Sequence, residues 1–376
     1  MLQDIPQVIL KTKTYKLNTI LLTKIMKDSP VIITSKSNFN GVVLVQMFRF
    51  RNGLEVPMYE VSTISGFNQL IGYSKFVNRD YGEVYYRGVN KVFDNVLPSL
   101  MRARTSGDAR DLKQVINKLY DNNKFRETLK LSLPVFNNRL SPGENRILKN
   151  NINRNNKFII EGVLQHYSGT TRFLDIVDNH WIALWMGLYK YEELGKGHLY
   201  CLYTKRMLPQ IDYLEHLAKC FSKDKIMGFS SLEDIANVLK VDEDELDKYY
   251  LYVLLIATPN DMVEQLPGSF ENQDFALVDL RKALPSFFLR PHAQHAYVIK
   301  VRDKVKADEY DLASQVVGII KIRVDKADEW LGNGTLLTQS NLFPPPAIDQ
   351  GYYTLLEYYT ELTGNFRIKN YLIEVK

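Results

Sequence analysis

Long helical patterns come mainly early in the chain and strand patterns cluster late, an order that limits the folds open to it. "SGDARDLKQVINKLY" (106–120) and "SPGENRILKNNINR" (141–154) read as capped amphipathic helices, the second with a Ser-Pro start. In "DNHWIALWMGLYKYEEL" (178–194), Trp181, Leu184, Trp185 and Leu188 fall at the i, i+3, i+4 and i+7 positions of one buried helical face, with Asp178 as its natural cap. Strand candidates follow: "GHLYCLYT", "YYLYVLLIAT", "DFALVDL", "HAYVIKV" and "VVGIIKIRV", interrupted by the acidic "SSLEDIANVLKVDEDELDKYY", a predicted helix. "GYYTLLEYYTEL" then reads as a helix and "FRIKNYLIEV" as a last strand. Because helices and strands do not alternate regularly, an α+β fold of mixed helices and central β-sheets is expected.

Residues 1–61 read as a small strand-rich N-terminal appendage. "PVIITSKS", "GVVLVQMFRF" and "EVPMYEV" are β-branched and aromatic runs separated by "NFNG" and "RNG", where Asn and Gly tolerate positive φ. Near residue 62 the pattern changes: "STISGFNQLIGYSKF" supplies Ser or Thr as a helix cap ahead of Phe67, Leu70, Ile71 and Phe76. An appendage with an exposed strand edge is a natural surface for protein contacts. At 376 residues the chain is long enough for a main domain carrying such an addition.

Composition is globular, with 45% hydrophobic and 24% charged residues. No apolar run reaches the roughly 18 residues of a membrane helix, and "MLQDIPQVILKTKTYKL" has no signal-peptide pattern, so a cytoplasmic chain without a membrane partner is expected. Cys201 and Cys220 are too few for a disulfide framework or a four-thiolate metal site. Net charge is only +5, but residues 102–172 hold 14 Lys/Arg against 6 Asp/Glu, and residues 229–280 hold 2 against 12. Such asymmetry fits an anion-facing surface beside an acidic one, or two faces that pair within the fold.

No P-loop, nucleophile elbow, HExxH helix or paired CxxC is present, so those readings lose their support. His292 and His295 in "RPHAQHAY" lack a nearby Cys or carboxylate cluster, and no metal is expected. Two other places draw attention. In "GEVYYRG" a strand-like run ends on Arg87 and Gly88: the arginine fork can clamp phosphate or carboxylate, and the glycine lets a ligand or another backbone come close. In "LQHYSGTTRFLDIVDNHWIALWMGLY" (164–189), Gln165, His166, Tyr167, Gly169, Thr170, Thr171, Arg172 and Asp175 crowd into eleven positions ahead of an apolar helix, and must be satisfied by one another or by a ligand.

The order "YYRG…LPSLMR", "QHYSGTTRFLDIVDNHWIALWMGLY", "RPHAQHAYVI" and "NLFPP…DQGYYTLLE" resembles the FRG domain, from about residue 62 to residue 360, leaving 361–376 as a C-terminal strand or tail. It departs from the family pattern in several places. Tyr86 replaces the phenylalanine of the name, Ser168-Gly169-Thr170 stands for Gly, an apolar residue and Pro, and Ile176-Val177 stands for Trp-Thr. His295-Ala296 replaces Gln-Gly, and "FPPPAID" an Asp-Leu-Asp version.

The layout is also similar to the ADP-ribosyltransferase superfamily, which implies NAD as substrate and a corresponding fold. On that likeness Arg87 and Gly88 would hold the dinucleotide with Arg102, Thr171 and Arg172 would stand in a Ser/Thr strand, and Gln294 would occupy the late acceptor position. Gln165, His166 and Tyr167 would complete the NAD site, with Tyr167 or His166 as a wall for the nicotinamide and Asp175 or Gln294 facing the ribose, where positive charge grows as the nicotinamide leaves. The reading is therefore an ADP-ribosyltransferase or NAD glycohydrolase with a protein or nucleic-acid acceptor. The alternative is a non-catalytic nucleotide or nucleic-acid binding module in which Arg102, Arg104, Arg110, Lys113 and Arg126 track phosphates. A nuclease reading lacks the carboxylate pair for a metal.

Overall fold

The computed structural model describes residues 29–34, 39–102, 106–133, 138–167, 170–191, 250–302, 307–332 and 337–360. Cys201, Cys220, the strand read in "GHLYCLYT", nearly all of the acidic helix and the closing "FRIKNYLIEV" lie outside them.

A hairpin of β1 (Val42–Arg49) and β2 (Glu55–Val61) comes first, then α1 (Ile64–Asn78), whose N-cap Thr63 accepts from the Gly66 amide. Next is β3 (Gly82–Val89), followed by α2 (Ser99–Arg102), α3 (Ser106–Asp121), α4 (Asn123–Thr128) and α5 (Pro142–His166). Ser141 and Glu144 close a capping box at the head of α5, as the Ser-Pro start predicts. The helix then runs 25 residues, straight through "NNKFIIEGVLQH", so Gln165 and His166 are its last turn. Strand β4 (Leu174–Val177) separates it from α6 (His180–Tyr191). Asn179, which bonds the Trp181 amide, takes the capping place expected of Asp178.

The late strand patterns become β5 (Tyr250–Pro259), β8 (Phe275–Asp279), β9 (Ala296–Val301) and β10 (Val316–Arg323). Two short strands, β6 (Val263–Leu266) and β7 (Ser269–Glu271), precede β8. Helices α7 (Leu280–Ala283) and α8 (Leu289–Ala293) lie between β8 and β9. After β10 come α9 (Val324–Leu331), α10 (Gln339–Leu342) and α11 (Gln350–Thr360).

The ten described strands form one sheet in the order β1-β2-β10-β5-β3-β4-β9-β8-β7-β6, antiparallel except for β2 beside β10. With its eleven described helices this is the α+β architecture expected. The strand-rich segment before residue 62 is the edge of this same sheet. Pairing position by position puts Asp175, Val177, Ala296 and Val298 on one face and Leu174, Ile176, Tyr297 and Ile299 on the other. On the first face α1, α6 and α9 cover the β10-β5-β3 half, while α3, α5 and α11 cover β8 and β9. The opposite face is closed by the segments around Val96 and Tyr310–Ala313. Strand β5 is buried on both sides, Val253 and Leu255 facing the helices and Leu254 and Ile256 the other layer, which explains its unbroken apolar run.

Candidate functional site

The two central strands part company early. β3 and β4 pair at a single position, Tyr86 with Val177, although β3 continues to Val89. Arg87 therefore lies inside β3 rather than at its end, and its Nη1 donates to the backbone carbonyl of Asp175 at 2.6 Å across the gap. The remaining N–H groups of the fork have no partner among the described residues, and no carboxylate is in ion-pair range. Burial pulls the Arg87 pKa down, the nearby Asp175 opposes this, and the charge of Arg102 adds to the lowering.

The polar block folds against this gap. Gln165 Nε2 donates to Asp175 Oδ2 at 2.7 Å, and Thr171 Oγ1 donates to Gln165 Oε1 at 2.5 Å. Thr171 is buried, and its hydroxyl also accepts from the Phe173 amide. Its own amide reaches Ser99 Oγ and its carbonyl the Leu100 amide, so the loop before β4 is tied to the start of α2. Arg87, Gln165, Thr171 and Asp175 thus meet, with Arg102 at the end of α2 close enough to be felt. Thr171 and Arg172 precede β4 instead of lying in a strand, because the chain turns there to reach α2.

Gly88 answers to a backbone. A Cβ at this position would stand 1.7 Å from the Ala183 carbonyl oxygen and 2.6 Å from the Gly187 amide, so α6 occupies the space the missing side chain leaves. Arg172 is engaged within the fold: its Nε and Nη2 donate to Glu161 at 3.0 and 2.6 Å, and its amide bonds the same carboxylate. Lys300, wholly buried against Phe158 and Phe173, completes the group. Burial pushes the Glu161 carboxyl up, but Lys300 and Arg172 outweigh it and hold its pKa down at about 2.

His166, Tyr167 and Gln294 make their contacts on another flank of α5. Tyr167 donates to Asp349 Oδ2 at 2.7 Å and stacks on Tyr352, while Asp349 also accepts the Arg290 and Tyr352 amides. Gln294 caps α8 and its side-chain amide donates to the Leu342 carbonyl. His166 faces Arg290; burial, helped by the guanidinium charge and opposed by a bond to the Arg290 backbone, lowers its pKa to about 3. Consecutive helical residues point about 100° apart, which is why Gln165 turns to Asp175 and His166 to Arg290.

Sequence reasoning passed over Arg290 and a polar group at the sheet end. Asp178 pairs with Arg281 at 2.9 Å and with His295 Nδ1 at 2.9 Å, and Arg281 also bonds Asp279 and the Tyr297 hydroxyl. His295 adopts φ +49°, an uncommon left-handed conformation. Both Arg290 and His295 stand in "RPHAQHAY", whose histidines had been weighed only as metal ligands. Among the described residues no group of three or more His, Cys, Asp or Glu is placed to hold a metal.

No curated protein and no solved structure matches the chain. The family model of the FRG domain matches residues 82–194, from the first residue of β3 to just beyond α6. That stretch holds Arg87, the last turn of α5, the Thr171 loop and β4, and over it the chain carries an FRG domain.

Proposed function

We propose that the gap between β3 and β4 binds a nucleotide, NAD in the first instance, and that this FRG domain acts as an ADP-ribosyltransferase or NAD glycohydrolase. The observation carrying this reading is Arg87: a half-buried guanidinium bound to one carbonyl, with no carboxylate of the described residues in range and a second arginine, Arg102, in electrostatic reach. Two cations facing one gap draw an anion into it, and a pyrophosphate presents oxygens that the arginine fork can take in parallel.

When bound, NAD supplies a nicotinamide–ribose bond whose electron pair leaves with the nicotinamide, so that water or an acceptor hydroxyl can take its place on the ribose. The chain's part is to anchor and to balance charge. Arg87 and Arg102 hold the phosphates; the Asp175 carboxylate, oriented by Gln165 and through it by Thr171, faces the positive charge that grows on the ribose. Gln294, whose amide is engaged with Leu342, is not given this role.

The test is incubation with NAD labelled in the ADP-ribose moiety, scoring nicotinamide release and label on protein, nucleic acid or free ADP-ribose. Arg87→Gln keeps a donor for the Asp175 carbonyl and removes the charge. It is expected to weaken NAD binding roughly 10- to 100-fold, the worth of a charge-assisted hydrogen bond. A folded wild-type chain that neither binds nor consumes NAD, or an Arg87→Gln chain that equals it, overturns the reading. The rival, a nucleic-acid module, draws on the basic stretch, yet Arg154 and Arg172 there are ion-paired to Glu271 and Glu161. Tight RNA or DNA binding that weakens steeply with salt, without NAD turnover, would restore it.

A further inference from the structure

Arg290 is 2% exposed, yet its guanidinium makes no hydrogen bond or ion pair with any described residue. It is held between rings instead, with Tyr352 at 4.7 Å, Tyr167 at 4.9 Å and Phe343 at 5.2 Å from its centre. Asp349, the nearest acid by connectivity, spends its oxygens on Tyr167 and on two backbone amides, one of them that of Arg290 itself. Ring faces attract a cation but accept none of its N–H groups in the way an oxygen does, and a buried charge without an acceptor is costly. Beside it, His166 Nε2 is a second sealed polar atom with no partner. In a neutral imidazole that nitrogen is either a donor or an acceptor, and in both cases it needs a partner.

Two unpartnered groups lie near one another: a cationic fork that lacks acceptors and an imidazole nitrogen that lacks a partner. A hydrogen phosphate group satisfies both, with anionic oxygens for the guanidinium and either an O–H or an oxygen for Nε2. A partly exposed stack leads outward from the cage, Phe343 lying 5.0 Å from Tyr189 and Tyr189 5.1 Å from Trp185, ring to ring. We propose that Arg290 and His166 form a binding site for the phosphate of a phosphate monoester, with the Phe343–Tyr189–Trp185 stack beside the group it carries. The site is independent of the NAD reading, since neither residue contributes to the gap at Arg87.

Thermal melts of the full chain in inorganic phosphate, in a nucleoside monophosphate and in chloride of equal ionic strength test this. Both phosphates are expected to raise the melting temperature by several degrees at millimolar concentration while chloride does not. Arg290→Met, which fills the ring cage with an apolar side chain, should abolish the shift without lowering the melt in chloride. His166→Phe should weaken phosphate binding at least tenfold. Should Arg290→Met fail to fold, a crystal structure of the wild-type chain in phosphate decides: phosphate on Arg290 supports the site, and water alone in the cage overturns it. A shift absent from wild type, or surviving in Arg290→Met, also overturns it.

Discussion

Single residues set how the protein answers to pH. His166 is neutral in the fold, where its pKa is held at about 3 by burial and by Arg290, and it titrates near 6.5 when the chain is unfolded. Below that value the unfolded state takes up a proton the native state refuses, so stability is complete above about pH 6.5 and falls as the pH drops toward 3. His180, lowered to about 4 by burial and by Lys75, acts in the same direction. The stability contributed by the Glu161 carboxyl, held at about 2, is complete above its ordinary value of 4.5 and is lost only as the pH falls below it. Between pH 6.5 and 4.5 urea midpoints are therefore expected to fall, and His166→Gln should flatten that slope by about one proton, about 1.4 kcal/mol per pH unit. An unchanged slope would mean that His166 is protonated within the fold. Tyr167 and Asp349 also line this corner and share one hydrogen bond.

Among the elements, the contact between β3 and α6 decides the shape of the gap. The backbones touch at Gly88 and Gly187, so α6 is pressed onto β3 just where β3 leaves β4. Gly88→Ala places a carbon 1.7 Å from a helical carbonyl, and neither strand nor helix can yield by rotating a side chain. We expect a loss of about 1–3 kcal/mol in urea unfolding, with weaker nucleotide binding as α6 is displaced. A chain that keeps wild-type stability would show that α6 can shift freely. The sequence announced this glycine as a point of close approach but left open what approached, because a missing Cβ looks the same to a ligand and to a helix. Thr171 was legible as a polar residue needing partners; that Gln165 and Ser99 supply them depends on a return of the chain that no local pattern encodes.

For the whole molecule, the sheet is continuous from β1 to β6, and β2 lends Val56, Met58, Tyr59 and Val61 to the cores on its two faces. Tyr59 also donates to the Ile33 carbonyl, and the Ile33 amide to Val317, which ties the segment ahead of the hairpin to β10. A chain begun at residue 62 would bare β10 along one edge and open both cores. It is expected to aggregate or to lose its cooperative melt, as size-exclusion chromatography and calorimetry would read; a monomer with a sharp transition would mark the hairpin as a separate unit.

Local chemistry was enough for the class of fold and for most helices and strands. Periodicity, caps and crowded polar residues are short-range signals, and they survive in the order of the letters. The parting of β3 from β4, the capture of Arg172 by Glu161 and Lys300, and the ring cage around Arg290 came from elsewhere. Each joins segments that are distant along the chain, and which buried charge finds a partner is settled by where the packed layers bring those segments, not by the neighbours of any one residue in sequence.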